Sequence, residues 1–212
     1  MKMHRGILVV VSGFSGAGKG TLMKQLVHTY DNYALSISMT TRTPRPGEED
    51  GREYFFVSTE EFEKTIAQDG LIEHACYCDH YYGTPKDYVE KQLDKGRDVI
   101  LEIEIQGALE IKKKFPTALL LFVMPPSIPE LRRRLEGRGT ETREVIEKRI
   151  WRAAEEAEGI EKYDFIVIND KLKECVEQMN SIVVAAHAMP FRNQDFIVNM
   201  REELNVLTKG EK

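Results

Sequence analysis

Gly6-Ile-Leu-Val-Val-Val-Ser-Gly13-Phe-Ser-Gly16-Ala-Gly18-Lys19-Gly20-Thr21 passes from an apolar, β-branched run ending at Ser12 into a glycine-rich turn, then into the helically patterned Thr21-Leu-Met-Lys-Gln-Leu-Val. Strand, turn and helix in that order, with the spacing Gly13-x4-Gly18-Lys19, are the parts of a phosphate-binding loop. A polyphosphate needs several donors converging close to the main chain. Gly13, Gly16 and Gly18 permit the backbone conformations and the close approach that this demands. The amides that open the following helix lack intrahelical partners and point at the anion, and the helix dipole adds a favourable field. The predicted contacts are Gly13, Phe14, Ser15, Gly16, Ala17, Gly18, Lys19, Gly20 and Thr21, with Lys19 supplying a mobile full charge. Gly20 stands where the pattern asks for Ser or Thr to hold Mg²⁺, so Thr21, the nearest hydroxyl, takes that role.

Outward from this loop, buried-type strand runs recur at 7–11, 99–105, 118–124 and 165–168, with helical patterns at 21–30, 106–115, 129–136 and 143–158. Alternation of that kind predicts an α/β fold built on a parallel sheet. The stretch 35–96 differs. Its short strand runs and turns predict a small mixed insert, and Gly137-Arg-Gly-Thr-Glu-Thr predicts a mobile loop between two helices. The resulting division is 1–34 core with the loop, 35–96 insert, 97–136 core, 137–159 lid and flanking helix, and 160–212 core completion. In the last of these, the amphipathic run from Phe196 predicts a terminal helix that closes the core; a partner-binding helix, and with it an oligomer, is the other reading.

The 212 residues suffice for one sizeable core. A net charge of −5 opposes a general nucleic-acid binder, and the basic residues cluster locally instead, at Arg42 and Arg45 and at Arg132, Arg133, Arg134 and Arg138. Small, highly charged anions suit such clusters. No apolar stretch approaches the ~20 residues of a membrane span. A cleavable leader would remove the strand that feeds the loop, so a cytoplasmic protein is expected. Three cysteines make no disulfide framework. His74-x-Cys76-x-Cys78-x-His80 alternates on one strand face, but at ~3.3 Å per residue its ends lie roughly 20 Å apart. Unless the chain bends sharply, that is too far for one zinc with bonds of ~2.0–2.3 Å, and no metal-ligand set is read there.

Ser36-Ile-Ser38-Met-Thr-Thr41-Arg42-Thr-Pro-Arg45-Pro-Gly carries two arginines three apart, stiffened by prolines. Arginine presents a rigid fork that matches phosphate oxygens, so two of them make a clamp, and Tyr54 and Tyr82 can each donate a hydroxyl to the same group. Together with Asp50-Gly-x-x-Tyr54-x-Phe, Leu-Ile-Glu73, Tyr81-Tyr82-Gly83-Thr84 and Arg134-Leu-Glu-Gly-Arg138-Gly, this run resembles guanylate kinase, with five motifs in order between about 6 and 186.

The resemblance implies a P-loop core, an inserted GMP-binding domain at 35–96 and a lid, with the reaction ATP + GMP ⇌ ADP + GDP and Mg²⁺ as cofactor. It implies that Arg42, Arg45, Tyr54 and Tyr82 hold the GMP phosphate and that Glu73 reads guanine, with Ser38 and Thr84 donating to O6. The chemistry agrees: guanine offers N1–H and N2–H₂ side by side, and an ionised carboxylate accepts both. The acceptor is an oxygen already ionised at neutral pH, so no general base is needed, and catalysis reduces to alignment and charge stabilisation. Lys19, Arg45, Arg138 and Arg149 are the implied catalytic groups, with Arg134 and Arg152 as further arginines of the lid region. Arg138 also contacts ATP, and Asn169 falls where the family meets adenine. Glu102 and Glu104, read as the end of a strand, sit at positions of which one or both are Asp in relatives; they are placed near the GMP or a Mg²⁺-bound water. Two other readings stay open: a kinase for another nucleoside monophosphate, and a non-catalytic interaction module of the same fold.

Overall fold

Alternate residues along β1 (Leu8–Gly13) enter different cores, because successive side chains of a strand point to opposite faces. Leu8 and Val10 join Val99, Leu101 and Leu120 on one side, while Val9 and Val11 join Ile100, Leu119 and Leu121 on the other. A strand buried on both faces reads as a continuous apolar run, as this one does. The computed structural model describes residues 5–77, 79–137 and 142–209, with the side chains of Tyr77 and Lys209 outside the description.

The central sheet is parallel and ordered β2 (Tyr33–Leu35), β7 (Asp98–Glu102), β1, β8 (Leu119–Met124), β9 (Phe165–Ile168). One face is covered by α1 (Lys19–Thr29), α5 (Ile128–Glu136), α6 (Arg143–Ala157) and α7 (Leu172–His187). The other is covered by α3 (Lys86–Asp94) and α4 (Ile105–Lys114). The chain leaves β1 toward β2 on one side, and leaves its neighbour β8 toward β9 on the other, so the loop after β1 lies at a topological switch point, where open α/β sheets bind ligands.

A second sheet, ordered β4 (Tyr54–Phe56), β3 (Ser38–Thr40), β6 (His80–Pro85), β5 (Leu71–Tyr77), is mixed, with β3–β4 parallel and the other pairs antiparallel. Phe62, fully buried on α2 (Thr59–Ala67), stacks on Tyr81 with centroids 5.2 Å apart and planes at 13°. Gly83 is required here: a Cβ would meet the Glu73 carbonyl at 2.9 Å.

Several expectations change. The stretch 35–96 holds two helices with its short strands, as a mixed insert should, but Val89 and Leu93 of α3 pack into the core of the central sheet. The strand expected to run to 105 ends at Glu102, because Glu104 takes an extended cap conformation and its carbonyl receives the Ala108 amide at 3.0 Å. The His74–His80 run is no straight strand: Tyr77 pairs with His80 across a hairpin turn, with Asp79 at φ 62 and Cys78 outside the described residues. The helix at the C-terminus, α8 (Gln194–Lys209), does not close the core. Phe196, Leu204, Val206 and Leu207 on it are 64, 55, 72 and 68% exposed, and α7 covers the sheet instead.

Candidate active site

The loop between β1 and α1 is shaped by contacts its sequence cannot display. Gly13 lies so close to β8 that a Cβ would fall 2.0 Å from the Val123 carbonyl. Gly18, at φ 87, is the left-handed N-cap of α1, and a Cβ there would meet Asn169 Nδ2 at 2.6 Å. Gly20 has open space around it, so its lack of a side chain answers no steric demand. Phe14 and Ala17 are buried, Phe14 edge-on against Phe122 at 5.2 Å, so they can offer a ligand only their main chain. Lys19 Nζ donates to the Gly13 carbonyl at 2.8 Å and the Phe14 carbonyl at 3.3 Å, and lies 3.9 Å from Glu102 Oε1.

Three side chains from distant segments hold or border this loop. Asn169, buried just after β9, donates to the Ala17 carbonyl at 2.8 Å. Arg134 of α5 donates to the same carbonyl at 3.3 Å and to the Asn169 carbonyl at 2.8 Å. Arg134 is therefore a buttress of the loop rather than an arginine free to close over a ligand. Arg149 of α6 donates to Ser15 Oγ at 2.9 Å. Arg133 and Arg134 both donate to Glu130 at 2.7 Å, and these hydrogen bonds hold its carboxyl down to about 2. Thr21 is exposed in the first turn of α1 and borders a cleft with Ser15, Gly16, Lys19 and Glu102. A hydroxyl and a carboxylate are oxygen donors of the kind a small hard cation takes, so Thr21 and Glu102 fit Mg²⁺. Glu102 and Glu104 line the cleft of Lys19, Arg149 and Arg152 rather than the small sheet. Arg138 lies outside the described residues.

On the small sheet, Arg42 is fixed from three directions. Its Nη2 donates to both oxygens of Glu48 at 2.9 Å, its Nη1 donates to the Thr43 carbonyl at 2.7 Å, and its guanidinium lies 5.5 Å from the Tyr54 ring centre and 5.8 Å from that of Phe56. Tyr54 and Tyr82 meet edge to face at 6.0 Å. Glu48 also accepts from the Arg45 backbone amide at 2.8 Å, which, with Arg42, holds its carboxyl below the usual range. The Arg45 side chain is exposed. Farther along the sheet, buried Thr84 donates to Glu73 Oε1 at 2.7 Å. Burial pushes the Glu73 carboxyl up, and the Thr84 hydrogen bond opposes that. Ser38 and Thr84 flank the paired residues Met39 and Gly83.

A protein-family model described as "Guanylate kinase" matches residues 5–186. The guanylate kinase of Caldanaerobacter subterraneus subsp. tengcongensis is 50% identical over 199 residues, covering 94% of this chain and 97% of that protein. That of Bacillus anthracis is 48% identical over 205 residues, or 96% of this chain and 100% of that one. Among solved structures, guanylate kinase from Anaplasma phagocytophilum is 32% identical with a TM-score of 0.69, covering 91% of this chain and 92% of that chain. The chain belongs to the guanylate kinase family. It is an enzyme, a nucleoside-monophosphate kinase whose reaction is phosphoryl transfer from ATP to GMP.

For a member of this family, the residues that sequence reasoning passed over are those that orient others. Glu48 aims Arg42, and its signal in the chain is an acid directly after the Pro44-Arg-Pro-Gly47 turn. Arg134 was legible as a basic residue, and only the packing of α5 beside the loop makes it a buttress.

Proposed function

We propose that the loop after β1 binds the ATP phosphates and that the small sheet binds GMP, so that phosphoryl transfer runs between the two clefts. The observation that carries this is the Glu73–Thr84 pair on the same sheet as the Arg42–Tyr54–Tyr82 cluster. One end of that surface suits a phosphate. The other suits a base that presents two adjacent donors and one acceptor.

In this reading the backbone amides from Phe14 to Thr21 cradle the β- and γ-phosphates, and Lys19 neutralises the bridge between them. Its ammonium already hangs on the Gly13 and Phe14 carbonyls, so little reorganisation is needed when the ligand arrives. Asn169 borders the adenine end. Arg42, Arg45, Tyr54 and Tyr82 hold the GMP phosphate; Glu73 accepts from guanine N1–H and N2–H₂, and Ser38 and Thr84 donate to O6. Adenine would set its N1 acceptor against the carboxylate. A bidentate base contact contributes roughly 1–3 kcal/mol of discrimination.

Thr21 and Glu102 are the groups proposed to hold Mg²⁺, directly or through its water, and when bound the ion neutralises charge on the donor phosphates. Arg138, Arg149 and Arg152 stand as the arginines that close over the transferred group, with Glu104 as the partner of Arg152 in the same cleft. Closure excludes water and so suppresses hydrolysis of ATP. The residue division given above, a cytoplasmic location, and α8 as the contact for an oligomer belong to the same proposal. Among the described residues no helix is long and apolar enough to cross a membrane.

Steady-state phosphate transfer from ATP to GMP, dGMP, AMP, CMP and UMP tests it. Turnover of GMP and dGMP alone is expected. Equal turnover of AMP or a pyrimidine monophosphate removes Glu73 as the base reader, and GMP binding without GDP formation removes the transfer assignment.

A further inference from the structure

Arg152 is held by two carboxylates of different character. Glu104, opening α4, accepts from Nη2 at 2.5 Å and is 76% exposed. Glu156, one helical turn farther along α6, accepts from Nε at 3.2 Å and is 18% exposed. The second oxygen of Glu156, Oε2, is buried and has no hydrogen-bond partner among the described residues. Tyr163 OH is also buried without a hydrogen-bond partner among the described residues, its ring centre 5.1 Å from that of Phe122, and the Glu156 charge reaches it. Burial pushes Glu156 up against the opposing charges of Arg152 and Lys19, and burial together with the Glu156 charge pushes Tyr163 up to about 12.

An ordinary pair at this helical spacing lies in water and contributes only a few tenths of a kcal/mol. A carboxylate withdrawn from water with one oxygen unsatisfied costs stability instead. This one lies in the wall of the cleft that also contains Gly13, Ser15, Lys19 and Arg149.

We infer that Glu156 is a positioning residue for phosphoryl transfer, acting through Arg152. It anchors the guanidinium at Nε, while Glu104 occupies the Nη2 edge until a phosphoryl oxygen replaces it. Exposed Glu104 can turn into water at little cost; Glu156 has no such exit, so the exchange occurs at one edge of the fork with the other fixed. A guanidinium held in this way needs only to change one partner to meet charge on the moving group. The inference rests on the reading of Arg152 as a closing arginine.

A kinetic cycle of Glu156→Gln, Arg152→Ala and the double variant tests it. Glu156→Gln should lower kcat ~10-fold with KM for ATP and GMP changed less than ~3-fold, the mark of an interaction expressed in the transition state. Its thermal midpoint should match or exceed that of the parent, because the buried charge is gone. In the Arg152→Ala background the same substitution should change kcat by less than ~2-fold. Should the glutamine variant not accumulate as folded protein, Glu156→Asp carries the same cycle. Unaltered kcat in Glu156→Gln, or a loss that persists undiminished without Arg152, overturns the inference. Parent-like turnover in Arg152→Ala instead overturns the reading of Arg152 on which it rests.

Discussion

The proposed donor cradle and the proposed acceptor cup are built from different materials. The cradle is main chain welded to a sheet with both faces covered: Val9, Val10 and Val11 are fully buried, and Gly13 touches the β8 backbone more closely than any side chain would allow. The cup is made of side chains on short strands, with Ser38, Tyr54 and Tyr82 half-exposed and Arg42 aimed by a single carboxylate. Phosphate is common to all nucleotides, so amides and one lysine suffice to bind it. A base must be told from other bases, and only side chains carry that information. Substitutions that leave the cradle's backbone intact should therefore change rate, and those in the cup should change which substrate is used.

The sharpest contrast sets Lys19→Ala against Arg45→Ala. Loss of Lys19 should reduce kcat by about 10²–10³ with little change in GMP affinity, since it removes charge stabilisation from the reacting phosphates. Loss of Arg45 should weaken GMP binding as well as turnover. Circular dichroism and a GMP titration of both variants check this; near-parent turnover in either one removes that residue from the mechanism, and identical profiles would erase the distinction between the two pockets.

Glu73→Gln isolates the cup. GMP affinity should fall by a factor on the order of 10–100, from a lost bidentate contact, while ATP affinity by calorimetry stays as it was. Unchanged GMP affinity would falsify the base-reading role. The pH behaviour follows from burial. Because folding raises the Glu73 pKa, its contribution to stability is fully present below the unfolded carboxylate's value and is lost as pH rises through the folded one. Glu73→Gln should thus raise the thermal midpoint of the ligand-free protein at neutral pH. Guanine's donors favour the ionised acid and reverse the shift, so GMP binding at about pH 5 should release protons, seen as a buffer-dependent heat. Uptake of protons would contradict the contact.

The smallest effect is expected at Thr21→Ala, which should raise the Mg²⁺ concentration needed for half-maximal rate by a few-fold, with no change in stability for so exposed a side chain. An unaltered metal titration would leave Glu102 and water as the ligands.

Legibility in the sequence followed the same division. The loop was readable because its parts are contiguous: strand, glycines and helix start all fall within residues 6–21. The buried strands were readable because a run apolar on both faces needs no partner to be recognised, although the strand through Val99 ends three residues early, at Glu102, before Glu104 caps α4. The mixed character of the insert was legible in its composition, but the bounds of α2 and α3 within it, and α7 beyond β9, carry no pattern strong enough to separate them from the turn and aromatic motifs around them. At the C-terminus an amphipathic pattern announced a helix without saying what would cover it, and α8 stands largely exposed.

Local order thus determined on its own the strand–glycine–helix loop and the alternating α/β plan, and it singled out the two arginines and the acid proposed for the cup. Those features depend on backbone freedom and spacing among near neighbours. Only the folded chain decided that Arg134 and Asn169 clasp the loop from α5 and the end of β9, that Glu48 aims Arg42, and that one oxygen of Glu156 is buried without a partner while the other holds Arg152. Each of these turns on whether a polar group keeps its water, and that is settled by what packs over it, usually a segment far away in the chain.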